Sequence, residues 1–76
     1  MAVKLVFLGK LADLAGVPER EVAAPLDWPG LVVALGEALT GEKVKLALNG
    51  TVLADKTSLS ASDGDEVALL PPVSGG

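Results

Sequence analysis

The chain has no cysteine, no histidine and no tyrosine, and one Trp and one Phe are its only aromatic residues. Without cysteine it has no disulfide, and without cysteine or histidine it has none of the usual zinc sites. The same absences remove the thiolate nucleophile, the imidazole base and the Ser-His and Cys-His pairs of most side-chain catalysis. We therefore expect neither a metal site nor an enzyme with a self-contained active site.

Basic residues and long apolar runs are also scarce. Six Lys and Arg face ten Asp and Glu, for a net charge of −4. Because phosphate binding needs clustered basic residues, no nucleic-acid partner is expected, and a basic protein partner suits the charge better. The longest uncharged stretch, residues 67–76, is too short and too rich in Pro and Gly to span a bilayer. We expect a cytoplasmic protein with no membrane partner.

What the chain does have is aliphatic: half of its residues are hydrophobic and its mean hydropathy is +0.52. Its 76 residues suffice for one domain with one thin core. A hydropathy this high in a small domain indicates either an unusually aliphatic core or apolar surface kept for a partner.

The first half of the chain predicts two strands and a helix. Apolar alternation indicates a strand over 2–9, a helical turn over 10–15 that stops at Gly16, and a second strand over 19–24. The main helix is expected to begin near Asp27 or Trp28, with Asp27 as its cap, and to end at 40–41. Gly36 falls inside this helix.

The second half predicts strands joined by tight turns. Asn49-Gly50 between two apolar runs is the strongest local hairpin pattern, and Asp63-Gly64 marks a second turn before a last strand over 66–70. The order β-β-α-β-(β)-β is that of an α+β, ubiquitin-like β-grasp fold, with one main helix across a mixed sheet of four to five strands. We expect residues 1–70 to form this domain and residues 71–76 to form an extended tail.

The tail is the most informative segment of the sequence. Two prolines stiffen its stem, and it ends on a diglycine that carries no Cβ atoms. Such a thin tip suits insertion into a narrow channel of another protein, where a terminal carboxylate could be activated as an acyl-adenylate. The tail residues predicted to contact a partner are Pro71, Pro72, Val73, Ser74 and Gly75, and the predicted reacting group is the carboxyl of Gly76.

Alternation along the predicted strands leaves apolar residues on the sheet face opposite the helix. The outward set is Val6, Leu8, Ala47, Ala68 and Leu70, together with Lys4 and Lys45. Because a solvent-exposed sheet face is normally more polar, we interpret Val6, Leu8 and Leu70 as a candidate partner surface. The alternative is a scatter of single exposed apolar residues, which is common in proteins.

Two motifs, DGDEVA at 63–68 and PPVSGG at 71–76, resemble the small, sulfur-carrier subunit of molybdopterin synthase. The resemblance implies that an E1-like enzyme adenylates Gly76 with ATP and that sulfur then replaces AMP to give a thiocarboxylate. It also implies a heterotetramer in which the large, catalytic subunit receives the loaded tail. There the tail would donate sulfur to cyclic pyranopterin monophosphate, in molybdenum cofactor biosynthesis. No cofactor is implied for the small subunit itself.

Other functions remain open at this point. A related carrier could serve thiamine or cysteine synthesis, or also be conjugated to proteins. A non-catalytic ubiquitin-like interaction module, whose tail carries no chemistry, is the alternative from a different class. The Pro71-Pro72 stem favours molybdopterin over thiamine synthesis, because an apolar run usually leads to the diglycine in the thiamine carriers.

Overall fold

The computed structural model describes residues 1–71 and contains seven strands and three helices in that range. In chain order these are β1 (Ala2–Phe7), α1 (Lys10–Ala15), β2 (Glu19–Ala23), β3 (Leu26–Asp27), α2 (Trp28–Leu35), α3 (Glu37–Thr40), β4 (Lys45–Leu48), β5 (Thr51–Val52), a 3-10 turn (Lys56–Ser58), β6 (Ser60–Ala61) and β7 (Glu66–Leu70).

Five of the strands form one mixed sheet in the order β2-β1-β7-β4-β5. The first and last strands, β1 and β7, lie side by side at its centre and run parallel, whereas every other neighbouring pair is antiparallel. A separate two-stranded ribbon joins β3 to β6. This arrangement confirms the predicted α+β, β-grasp fold with a mixed sheet.

The predicted cap at the start of the main helix is present. One side-chain oxygen of Asp27 accepts a hydrogen bond from the Gly30 N–H at 2.9 Å, which satisfies one of the free donors in the first turn. Pro29 occupies that first turn, where its missing N–H removes no helical bond. The local chemistry of these residues thus fixes where α2 begins.

The prediction of one uninterrupted helix is wrong at Gly36. This residue has φ +79°, a conformation that other residues rarely adopt, and it separates α2 from the short helix α3. Its N–H donates to the Val32 carbonyl at 2.8 Å, and its own carbonyl accepts from the Thr40 hydroxyl at 2.7 Å. The glycine therefore ends one helix and starts the next, instead of lying inside one.

The core lies between the sheet and the helices. Alternate residues of the three inner strands point into it: Val3, Leu5 and Phe7 on β1, Leu46 on β4, and Val67 and Leu69 on β7. Leu31 of α2 covers them and is fully buried. Since these strand residues face the helices, the residues between them must face the other way, as the alternation predicted.

The Asn49-Gly50 hairpin forms as predicted between β4 and β5. Both residues have positive φ, +50° and +87°, which is the conformation that a two-residue hairpin turn with the correct twist requires. The turn pairs Ala47 with Val52 and Leu48 with Thr51. It therefore fixes which residues of β5 share a sheet face with β4.

Asp55 and Lys56 do not form the surface charge pair that their adjacency suggests. The Asp55 carboxylate instead accepts two hydrogen bonds from Thr57, and these hold the pKa of Asp55 below its usual value. The half-buried Lys56 ammonium donates to the carbonyls of Gly41 and Val44 and lies 5.4 Å from the centre of the Trp28 ring. Lys56 thus ties the loop after α3 to the start of α2.

Candidate functional site

The last strand of the sheet brings the chain to the predicted tail. β7 ends at Leu70, which pairs with Lys45, the first residue of β4. Pro71 follows and is half-buried. The other predicted tail residues lie outside the described part of the chain: Pro72, Val73, Ser74, Gly75 and Gly76. We use "tail root" for Leu70 and Pro71.

The structure brings the predicted partner residues Val6, Leu8 and Leu70 to one sheet face, opposite the helices. Val6 is in register with Ala68 on the parallel strand β7. The Leu8 N–H donates to the Leu69 carbonyl at 3.2 Å, so Leu8 lies beside Leu70 at the tail root. Leu8 is 39% exposed, and Val6 and Leu70 are half-buried. We call this side of the sheet the outer face.

The register extends the apolar part of the outer face beyond the predicted residues. Ala47 pairs with Ala68 on one side and with Val52 on the other, so one row runs Val6, Ala68, Ala47, Val52 across four strands. Ala47 was expected on the surface but is only 6% exposed, because its small side chain sits between two neighbouring strands. Val52, which is 53% exposed, was missed by the sequence reasoning; the turn at 49–50 was the pattern that could have found it.

One end of the outer face is acidic. Lys4 is in register with Glu21 on β2 and with Glu66 on β7, and its ammonium lies 3.3 Å from a carboxylate oxygen of Glu19. Three carboxylates against one lysine leave this end negative. Lys4 and Glu19 are about half exposed, with side-chain exposures of 47% and 54%, so their ion pair adds little to stability. Lys45 lies at the opposite end of the face, beside the tail root.

The acidic turn before β7 has a structural role in the described chain. Asp65 accepts hydrogen bonds from the Ser62 N–H at 2.8 Å and from the Asn49 amide at 3.2 Å, and these two contacts lower its pKa. Asp63 accepts from the Ala2 N–H at 2.8 Å. The turn therefore anchors the start of β1 and the 49–50 hairpin to β7. Within residues 1–71, no three Asp or Glu side chains are grouped so that they could hold a metal ion.

These features together describe a surface that can dock a partner and present a chain end. The outer face is largely apolar and has one acidic end. After the central strand β7, the chain leaves the sheet at the border of this face. The chain has no cysteine or histidine from which the common nucleophile–base pairs are built. None of the helices within residues 1–71 is long and apolar enough to cross a membrane.

The comparisons with known proteins identify the family. The profile of the ThiS family matches residues 5–76, nearly the whole chain. The chain belongs to the ThiS family. This ThiS-family chain aligns with the molybdopterin synthase sulfur carrier subunit of Escherichia coli (strain K12). It is 37% identical, and the alignment covers 97% of this chain and 99% of that protein.

Solved structures agree on the fold. A chain of the protein–protein complex of subunits 1 and 2 of the molybdopterin-converting factor from Helicobacter pylori superposes with a TM-score of 0.70. It is 28% identical, with 100% of both chains covered. The small archaeal modifier protein 1 of Methanosarcina acetivorans superposes with a TM-score of 0.76 at 24% identity. That match covers 99% of this chain and 96% of the archaeal one, and it supports the fold alone.

Proposed function

We propose that this chain is the sulfur-carrier subunit of molybdopterin synthase and presents a C-terminal thiocarboxylate on Gly76. The observation that carries the proposal is the position of β7. As the central strand, β7 takes the chain out of the sheet at the border of the apolar outer face. A partner that covers this face is therefore placed beside the point from which residues 72–76 continue. The full-length likeness to a sulfur carrier subunit supports the same function.

The proposed chemistry takes place on the terminal carboxyl. A C-terminal carboxylate has a pKa of about 3.3–3.7, so at neutral pH it is ionised and a poor electrophile. An E1-like enzyme would join it to the AMP portion of ATP and release pyrophosphate. A sulfur nucleophile would then attack the acyl carbon, and AMP would leave with the bonding electrons. The product is a thiocarboxylate on Gly76. Its sulfur would bond to cyclic pyranopterin monophosphate, and water would then attack the acyl carbon, break the carbon–sulfur bond and return the carboxylate.

The residues of the tail suit this role because they need little space. Gly75 and Gly76 carry no side chains, so a narrow channel can admit the reacting carbon to a partner's active site. We propose that Pro71, Pro72, Val73 and Ser74 contact the partner along the path that leads to such a channel. The chain contains no cysteine, so the sulfur it carries would be held as an acyl group on the terminal carboxyl.

The outer face is the proposed docking surface for the large subunit. Val6, Leu8 and Leu70 would be covered by apolar residues of the partner, and the acidic end would face basic ones. The E1-like enzyme must take the same tail into its own active site. Because one tail cannot occupy two channels, the two complexes would form in turn and exclude one another. Since activation needs ATP, we expect it to take place in the cytoplasm.

The other candidate functions are less well supported. Carriers for thiamine or cysteine synthesis, a protein modifier and a plain interaction module would all fit the β-grasp fold. The alignment with the E. coli molybdopterin synthase subunit covers 99% of that protein, and this favours the molybdopterin function. A modifier would form isopeptide-linked adducts that mass spectrometry of cell extracts can detect.

The loading reaction provides the direct test. The purified chain is incubated with the E1-like enzyme, ATP and a sulfur source, and its intact mass is measured. We expect the mass change of one oxygen replaced by sulfur, located at Gly76 by fragmentation. Deleting Gly75-Gly76, or adding one residue after Gly76, should abolish the change. An unmodified terminus, with partners that load another carrier in the same assay, contradicts the proposal.

A complementation assay separates the carrier from an interaction module. In a strain that lacks its own small subunit, the full chain should restore molybdopterin synthesis, and the chain without Gly75-Gly76 should not. Restoration by the shortened chain would favour a module whose tail carries no chemistry. Binding of the shortened chain to the large subunit, measured in parallel, shows that the deletion leaves the docking surface intact.

A further inference from the structure

Pro71 stands at the position where the ladder between β1 and β7 would otherwise continue. The Lys4 N–H donates to the Asp65 carbonyl at 3.0 Å and the Leu8 N–H to the Leu69 carbonyl at 3.2 Å. In a parallel ladder of this register, the next bond runs from the N–H of residue 71 to the Leu8 carbonyl. Proline has no N–H, so this bond cannot form. The pairing of β7 with β1 therefore stops at the tail root.

The Leu8 carbonyl already has a partner of its own. It accepts from the Leu11 N–H at 3.1 Å, in the first turn of α1. A carbonyl oxygen has two lone pairs and could accept a second donor from residue 71. The missing donor at position 71, and not the lack of a free acceptor, therefore prevents this last bond before β1 gives way to α1.

Gly9 provides the surface against which the Pro71 ring lies. It has φ +55° and ψ −131°, and a Cβ atom built on it would come within 3.3 Å of the Pro71 Cγ. A spacing this small is tighter than most real Cβ contacts, so a Cβ atom at position 9 would displace the Pro71 ring. Only glycine allows the ring to lie where it does. The ring is held against the backbone of the loop between β1 and α1.

We propose that Pro71 is a positioning residue that releases the tail from the sheet and sets the direction in which it leaves. Its missing N–H ends the ladder, and its ring, packed on Gly9 and restricted in φ, fixes the exit of the chain. A residue with an N–H at position 71 would add a bond to Leu8. That bond would hold the start of the tail against β1 and would have to break before a partner's channel could take the tail. This inference rests on the proposed function.

The test compares Pro71→Ala with Pro29→Ala, which changes an exposed proline in the first turn of α2. For each chain, kcat and KM are measured for adenylation by the E1-like enzyme, with pyrophosphate exchange as the readout. For Pro71→Ala we expect KM to rise about fivefold, the equivalent of one net hydrogen bond of about 1 kcal/mol, and kcat to stay within about twofold. Pro29→Ala should match the unaltered chain.

A second measurement does not depend on the enzyme. In Pro71→Ala, hydrogen exchange by NMR should show that the new amide at position 71 is protected. A chemically synthesised chain with N-methylalanine at position 71, which again lacks the N–H, should return KM to within about twofold of the unaltered value. An unprotected amide, an unchanged KM for Pro71→Ala, or no recovery with N-methylalanine overturns the inference. If the unaltered chain is itself not adenylated, the proposed function fails. The hydrogen-exchange measurement still shows whether an amide at position 71 bonds to the Leu8 carbonyl.

Discussion

Leu8→Ala tests whether the outer face docks the large synthase subunit. Leu8 is 39% exposed beside the tail root. Full burial of a leucine side chain is worth about 1.5–3 kcal/mol, so covering this exposed part on docking contributes about 1 kcal/mol. We therefore expect the dissociation constant of the complex to rise about fivefold, as measured by isothermal titration calorimetry.

The matched control is Leu14→Ala, at a leucine that is 62% exposed on α1, a helix that packs against α3. It removes the same atoms away from the outer face and should leave the affinity unchanged. Thermal unfolding of both variants shows that each is folded at the titration temperature. If the two variants weaken binding equally, or if Leu8→Ala binds as tightly as the unaltered chain, the outer face is not the docking surface.

Three further predictions follow from the same structure. Val52→Asp places a carboxylate in the apolar row of the outer face, so it should weaken binding of the large subunit at least tenfold, about 1.4 kcal/mol, in the same titration. The control Val33→Asp, at a position on α2 that is 87% exposed, should leave the affinity unchanged. Lys56→Met removes an ammonium that donates to two carbonyls, so it should lower the free energy of unfolding by about 2–3 kcal/mol and Tm by about 10–20 °C. The control Lys43→Met, at an exposed lysine, should change the free energy of unfolding by less than about 0.5 kcal/mol. Equal losses in the two variants would contradict the role of Lys56. Because the pKa of Asp65 is lowered from 3.8, its carboxylate contributes stability above that pH and loses it as the pH falls through the lowered value. Asp65→Asn should therefore flatten the acid side of a urea-unfolding stability profile, and an unchanged profile would show that this carboxylate is not responsible.

The features that the sequence predicted well depend on residues close together in the chain. Asp27 caps a helix whose first turn is three residues away, and the 49–50 turn needs only the positive φ that Asn and Gly tolerate. Gly36 shows where local reasoning fails, since a glycine can lie within a helix at a modest cost or end it. Which of the two occurs depends on the packing of the following helix α3, which contacts α1 and α2 and buries Leu39 in the core.

The parts of the candidate site that were predicted also depend on residues close together in the chain. Alternation along single strands was enough to place Val6, Leu8 and Leu70 on one face. The contribution of Val52 depends on pairing across the sheet, and that of the acidic end depends on which strands flank β1. The role of Lys56 cannot be predicted from its neighbours in the sequence, because its carbonyl partners are more than ten residues away in the chain.

The turns, the helix start, the strand alternation and the missing side-chain chemistry can all be predicted from the sequence, because each depends on a residue type or on neighbours along the chain. The other features depend on contacts between residues that are far apart in the chain. The parallel pairing of β1 with β7 joins residues some sixty positions apart, and it alone brings Gly9 and Leu8 against Pro71. A tail that begins beside an apolar face is a consequence of that pairing, because the order of strands in a sheet is set by long-range packing.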